Sequence, residues 1–168
     1  MKIERLELSL LTLPLVHFFE TSFGRIFEKR CIIVGVDGEG VTRHGECVAE
    51  QDPYCSSETN ETAIRLHDVC AAHGIPVRLG GMLESGVGRA ANIHRSTLPN
   101  FTLRGDVAAS KRRFNPDLIG PPIEGAGDGT MAVSTGCGLG VSIRSARVEA
   151  ATTQRAAFDV SSFKVRSR

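Results

Sequence analysis

The sequence predicts an α+β chain, an antiparallel three-stranded sheet followed by a helix–strand–helix segment. Three observations carry that reading. Residues 2–13, KIERLELSLLTL, set Ile3, Leu6, Leu8 and Leu10 against Glu4, Glu7 and Ser9, the apolar/polar alternation of a half-buried strand. The run RCIIVGV meets Asp37-Gly38-Glu39-Gly40, a turn signal, and VTRHGECVAE follows as the returning strand. Beyond residue 56 the spacing turns helical, and Gly74 stands where a helix of that length stops.

The elements follow in order. Pro14 is expected to end the first strand, leaving Phe18, Phe19, Thr21, Phe23 and Gly24 in a loop. SSETNETA opens a helix with hydroxyl caps and Glu58 and Glu61 in its first turn, continued by Ile64, Leu66, Val69 and Cys70. IPVRLGGML is a short apolar strand, and ESGVGRAANIHRSTL is a second helix. VAASKRRF is a short element. NPDLIGPPIEGAGDGTMAVSTGCGLG is loop, with one short strand near Met131 to Val133. Residues 144–168 are small, polar and basic, and read as a frayed helix leading into a disordered tail.

Composition narrows the function classes. The chain has 168 residues, enough for one domain or a domain with extra pieces, and 41% of them are apolar, enough for a core. A net charge of +1 gives no electrostatic footprint for nucleic acid. Five cysteines, an odd number with no C-x-x-C pair, point to reduced thiols rather than a disulfide framework or a zinc site. No run approaches a membrane span, and Glu4 and Glu7 interrupt the N-terminal apolar stretch, so a soluble cytoplasmic protein is expected.

Four patterns hint at chemistry. GVGRAA at 86–91 fits G-x-G-x-x-A with Asp106 twenty residues after Gly86, the outline of a dinucleotide-binding turn. The glycines do not open directly from a strand, and no further strand–helix–strand units follow, so a dinucleotide-binding fragment is a remote alternative. Glu46 and Glu50 could form an acid pair, but carboxylates beside a turn are mostly solvated. His67 and His73 are six apart, wrong for one helical face, and His44 has no assigned role. GAGDG and GCGLG lack the lysine that a phosphate loop needs.

A more specific signal comes from longer stretches. PLVHFFETSFG, GECVAEQDPYCSSETNETA, HDVCAAHGIPV, GGMLESGVGRAANIH, STLPNFTLRGDVAASKR and TGCGLG together resemble the o-succinylbenzoate synthase and N-acylamino acid racemase group of the enolase superfamily. The likeness runs from residue 1 to about 141. It implies an α+β capping domain, beginning with a three-stranded antiparallel sheet, on a modified TIM-type barrel. Residues 1–63 would be the N-terminal part of the cap, 64–120 the last helix, strand and helix of the barrel, and 121–143 a segment returning to the cap. Barrel strands one to seven would be absent, because SSETNETA runs straight into IRLHDVCAAHG near Ala63, and 168 residues are too few for a cap and a barrel of at least about 200.

The resemblance also implies a function: proton abstraction next to a carboxylate, assisted by Mg²⁺, for dehydration in menaquinone biosynthesis or for racemisation of N-acyl amino acids. The substrate would be a small carboxylate. The positions matching Phe19 and Tyr54 lie against substrate in the family. Gly81, Met82, Glu84 and Ser85 fall in the stretch matching the eighth barrel strand and its loop, where the helix after Gly86 could orient an anion. The catalytic lysines and the three Mg²⁺-binding acids belong to the missing middle. The chain has only Lys2, Lys29, Lys111 and Lys164, with no Lys-x-Lys pair, so no catalytic or metal-binding residue is assigned and inactivity alone is expected. Non-catalytic alternatives are a remnant of an internal deletion, or a module self-associating through exposed strand edges, chiefly at IPVRLGGML.

Overall fold

The computed structural model describes residues 2–22, 24–47 and 67–159. Strand β1 (Arg5–Thr21) and strand β2 (Gly24–Gly38) form a long antiparallel hairpin. Strand β3 (Val41–Cys47) pairs back on β2. The turn between β2 and β3 puts Glu39 and Gly40 at φ 53° and 74°, the paired positive values of a tight hairpin turn whose twist matches the strands.

The sheet has a fourth strand that the sequence does not predict. Strand β6 (Thr152–Asp159) pairs antiparallel with β1, giving the order β3-β2-β1-β6. It follows helix α4 (Ser145–Ala151). The expectation of a disordered tail over 144–168 is therefore corrected for residues 144–159; residues 160–168 lie outside the described ones. TTQRAAFD carries little strand signal of its own, and the β1 edge imposes the extended form on it.

The first strand is also longer than expected. Pro14 does not end it: β1 continues to Thr21, with a register irregularity between Pro14 and Phe19. Pro14 lies beyond Leu11, the last β1 residue that pairs with β6. There β1 has one neighbour, and a residue without an N–H is tolerated. Phe18 and Phe19 are thus strand residues, and Phe23 lies outside the described residues.

The buried face of the sheet is the odd-numbered one. Ser9, Leu11 and Leu13 pair across to Ile33, Cys31 and Lys29, and all six are buried. Val87, Phe114, Leu118 and Ile119 close over Leu11, Leu13, Cys31 and Ile33, with Leu139, Val141, Ile143 and Val148 packed at the margin. The even-numbered set Leu6, Leu8 and Leu10, expected to supply the core, is half-buried on the opposite face, beside Val36, Val34 and Ile32.

The remaining elements surround that core. A helix whose described part covers residues 67–72 (α1) ends at Gly74, whose φ of 65° is the left-handed value favouring glycine there. Residues 75–83 form less strand than the sequence predicts, a single parallel bridge from Gly80 to Asp106. Backbone bonds from Val77 N to Asn100 O and from Asp106 N to Leu79 O hold the two stretches side by side. Helix α2 (Gly86–Arg95) appears where the sequence places it, capped by Ser85. Helix α3 (Ser110–Arg113) and the short pair β4 (Ile119–Gly120) and β5 (Ser142–Ile143) complete the chain. Near the expected strand at 131–133 there is one bridge, Gly125 to Met131.

Candidate functional site: the start of helix α2

GGMLESG leads into α2, and its side chains turn inward. Gly81 N donates to Asp106 O at 2.8 Å, and a Cβ on Gly81 would sit 2.5 Å from that oxygen, so only glycine fits. Met82 is 44% exposed. Glu84 is buried, and its Oε2 accepts from Met82 N at 2.6 Å, folding the carboxylate back on its own loop. Ser85 is wholly buried at the N-cap, where its Oγ accepts from Val87 N.

The other partners come from distant parts of the chain. Glu46, near the end of β3, accepts from Ser85 N at 2.8 Å, Ser85 Oγ at 2.6 Å and Gly88 N at 2.8 Å. Asp117 accepts from Gly86 N at 2.8 Å and Leu118 N at 2.7 Å through Oδ1, and from Arg89 at 3.0 Å through Oδ2. Arg89 is fully buried and also donates to Glu84 O at 2.9 Å. The free amides that open a helix are therefore satisfied by this chain's own Ser85, Glu46 and Asp117. The expectation that they orient a bound anion is corrected: two carboxylates already occupy them, where the helix dipole favours negative charge.

Electrostatics follow from the packing. Burial raises the Glu46 carboxyl above its ordinary 4.5, the Ser85 and Gly88 bonds pull it back, and Glu84 adds to the rise. Burial pushes the Cys31 thiol up to about 12, Glu46 adds to it, and the Lys29 ammonium opposes it. Cys31 is thus a buried, unreactive thiol. Lys29 lies buried on the same face, and Lys111 is exposed and pairs with Glu124 at 3.2 Å.

The glycines of GVGRAA have packing roles. A Cβ on Gly86 would lie 2.3 Å from Ile119 Cγ1, and one on Gly88 would lie 3.0 Å from both Glu46 Oε2 and Glu84 Cβ. Both glycines lie inside α2, and Asp106 pairs with Gly80. The dinucleotide reading has no turn to stand on.

Of the residues singled out as substrate-facing, Gly81, Met82, Glu84 and Ser85 form one continuous unit. Phe19 is half-buried in β1 with the Arg113 guanidinium 5.4 Å from its ring centre. Tyr54 lies outside the described residues, as does Glu50. Glu46, expected to be solvated, is the residue that ties the sheet to α2. Arg89 and Asp117 were not singled out at all. The available signal was Arg89's place among Val87, Ala90 and Ile93, since a charge on a buried helix face needs a buried partner.

A family model described as enolase C-terminal domain-like matches residues 59–147. The chain belongs to the enolase superfamily. Among curated relatives, an N-succinylamino acid racemase from Amycolatopsis sp is 56% identical over 79 residues, 47% of this chain and 21% of that protein. An N-succinylamino acid racemase from Thermus thermophilus is 44% identical over 90 residues, 54% of this chain and 24% of that one. An o-succinylbenzoate synthase from Geobacillus stearothermophilus is 49% identical over 87 residues, 52% and 23% of the two chains. The chain thus spans less than a quarter of the length of these relatives. A solved structure of a probable mandelate racemase from Alicyclobacillus acidocaldarius shares the fold, with a TM-score of 0.85 at 13% identity, over 97% of this chain and 99% of that one.

The superfamily's resemblance brings Mg²⁺ with it, and the donor set does not fit that ion. No group of three or more His, Cys, Asp or Glu side chains stands together among the described residues. Glu46 and Asp117 spend their oxygens on N–H, O–H and guanidinium donors, whereas Mg²⁺ demands several oxygen ligands in octahedral array. No helix among the described residues is long and apolar enough to cross a membrane.

Proposed function

We propose that this chain joins the capping sheet of an o-succinylbenzoate synthase or N-acylamino acid racemase type protein to its last barrel segment, without the catalytic middle, and is inactive alone. In this reading the junction lies near Ala63, and residues 64–120 are the barrel's last helix, strand and helix. The protein is cytoplasmic and descends from an enzyme acting on a small carboxylate.

One observation carries the proposal. Glu46 of the sheet bonds to Ser85 of the GGMLESG loop and to Gly88 of α2, and Glu84 folds back on Met82 N, so both of these carboxylates are committed to structure. In this proposal Phe19, Gly81, Met82, Glu84 and Ser85 descend from a substrate-facing wall, as does Tyr54, which lies outside the described residues. Lys29 is buried among the residues of the sheet's core face, and Lys111 is exposed and pairs with Glu124. Proton abstraction next to a carboxylate needs a positioned base and electrophilic stabilisation of the enediolate, and among the described residues no group of three or more metal-binding side chains stands together to supply the second.

The test is turnover of N-succinyl or N-acetyl amino acids with Mg²⁺, followed by chiral chromatography. The expected result is no racemisation above a blank. A rate that depends on protein and Mg²⁺ would overturn the reading.

A second reading, self-association, rests on a different observation. The even face of the sheet is apolar and half-buried, and Val16, Phe18, Ile26 and Phe27 are exposed at the far end of the β1–β2 hairpin. Light scattering across protein concentration decides it, since a monomer at every concentration removes this reading.

A further inference from the structure

We infer that a cleft between α3 and α4, sharing Asp117 with the GGMLESG joint, binds a small oxyanion carried on an apolar stem. The cleft has a volume of about 240 Å³, and its floor includes the buried side chains of Phe114 and Ile119. Its charged wall holds Lys111, Arg144 and Arg147 against Asp117 and Glu124. Both acids are already engaged. Glu124 pairs with Lys111 at 3.2 Å, and Asp117 holds Arg89 and two backbone N–H groups. That leaves two guanidinium groups, on Arg144 and Arg147, with no ion pair to an acid among the described residues.

The backbone of the two arginines is held in place. Arg144 N donates to Leu118 O at 2.8 Å, and Arg147 N donates to Arg144 O at 2.8 Å. The Arg144 side chain lies across Gly120, where a Cβ would come within 2.8 Å of its Nε. Nη1 of Arg147 is closed off from solvent and has no hydrogen-bond partner among the described residues. A buried donor without an acceptor is costly, and it is the kind of group that an entering anion satisfies. Guanidinium pairs favour planar or tetrahedral oxyanions, which take two parallel N–H bonds. The apolar floor favours an anion with a carbon skeleton over a bare ion.

The experiment uses the full chain at constant ionic strength, with potassium chloride exchanged for inorganic phosphate or for succinate. Thermal unfolding gives the saturable rise in Tm that binding to the folded state produces. The expected result is a rise with succinate beyond that with chloride and beyond that with phosphate. Its apparent Kd should weaken at least about tenfold in the double variant Arg144→Gln/Arg147→Gln, the loss of a charge-assisted bond or more. The same charge removed at exposed Arg112 should leave the affinity unchanged. A rise with phosphate and none with succinate would overturn the apolar stem. Equal shifts in all variants, or no shift beyond chloride, would overturn the inference. Should the double variant not fold, Arg144→Gln alone, at an exposed position, is compared with the wild type by ³¹P line broadening or succinate proton relaxation. An unchanged signal there would overturn it equally.

Discussion

Glu46 is the residue on which sheet and helix meet, and its carboxyl sits above the ordinary value of 4.5 because burial outweighs the three bonds it accepts. The folded chain therefore holds that proton more tightly than the unfolded chain. The stability tied to this group is full below pH 4.5 and is lost as pH rises through the raised native value. Glu46→Gln removes the titration. Urea denaturation from about pH 4 to about pH 8 should show the variant gaining on the wild type as pH rises, then levelling. A difference that stays flat would mean that the bonds from Ser85 and Gly88 fully offset the burial. Nothing local in VTRHGEC betrays this role, since Glu46 and Ser85 are 39 residues apart. The alternation of the strand put Glu46 on a face, but only the fold says what that face meets.

Helix α2 shows how an element can be legible while its partners are not. Its limits could be read from Ser85, the apolar spacing of Val87, Ala90 and Ile93, and the basic last turn. The Arg89–Asp117 pair, whose side chains are 0% and 1% exposed, could not, because Asp117 lies in a proline-rich loop with no periodicity. Asp117→Ala would leave Arg89 charged and unpaired and Gly86 N uncapped, and a loss of about 3–5 kcal/mol is expected. The double variant Arg89→Met/Asp117→Leu removes both charges and should recover much of that loss, as urea midpoints would show. If the double variant is as unstable as the single one, the deficit comes from the lost cap on Gly86 rather than from a stranded charge. The same logic explains Pro14. Proline forbids a ladder bond, which reads as a strand end, yet β1 passes through because β6 has stopped at Leu11.

At the scale of the molecule, the sheet is closed by the segment that the sequence left unstructured. The first three strands were legible because alternation and a turn signal lie within one hairpin's reach. β6 was not, because Ala156 and Ala157 offer no pattern and their place is set by β1, about 150 residues earlier in the chain. Its contribution is the covering of the β1 edge from Arg5 to Leu11. A chain ending after Ala151 exposes that edge beside the apolar Leu6, Leu8 and Leu10, a template for pairing with a second copy. A chain ending after Asp159 keeps the edge covered. The shorter chain is expected to melt lower and to form larger species with rising concentration, while the longer one keeps the full-length Tm and mass. Light scattering beside thermal unfolding separates the two outcomes. Equal behaviour of both truncations would show that β6 rests on the sheet without holding it, and that the fold is secured from the other face, where Glu46 and Asp117 bind the start of α2.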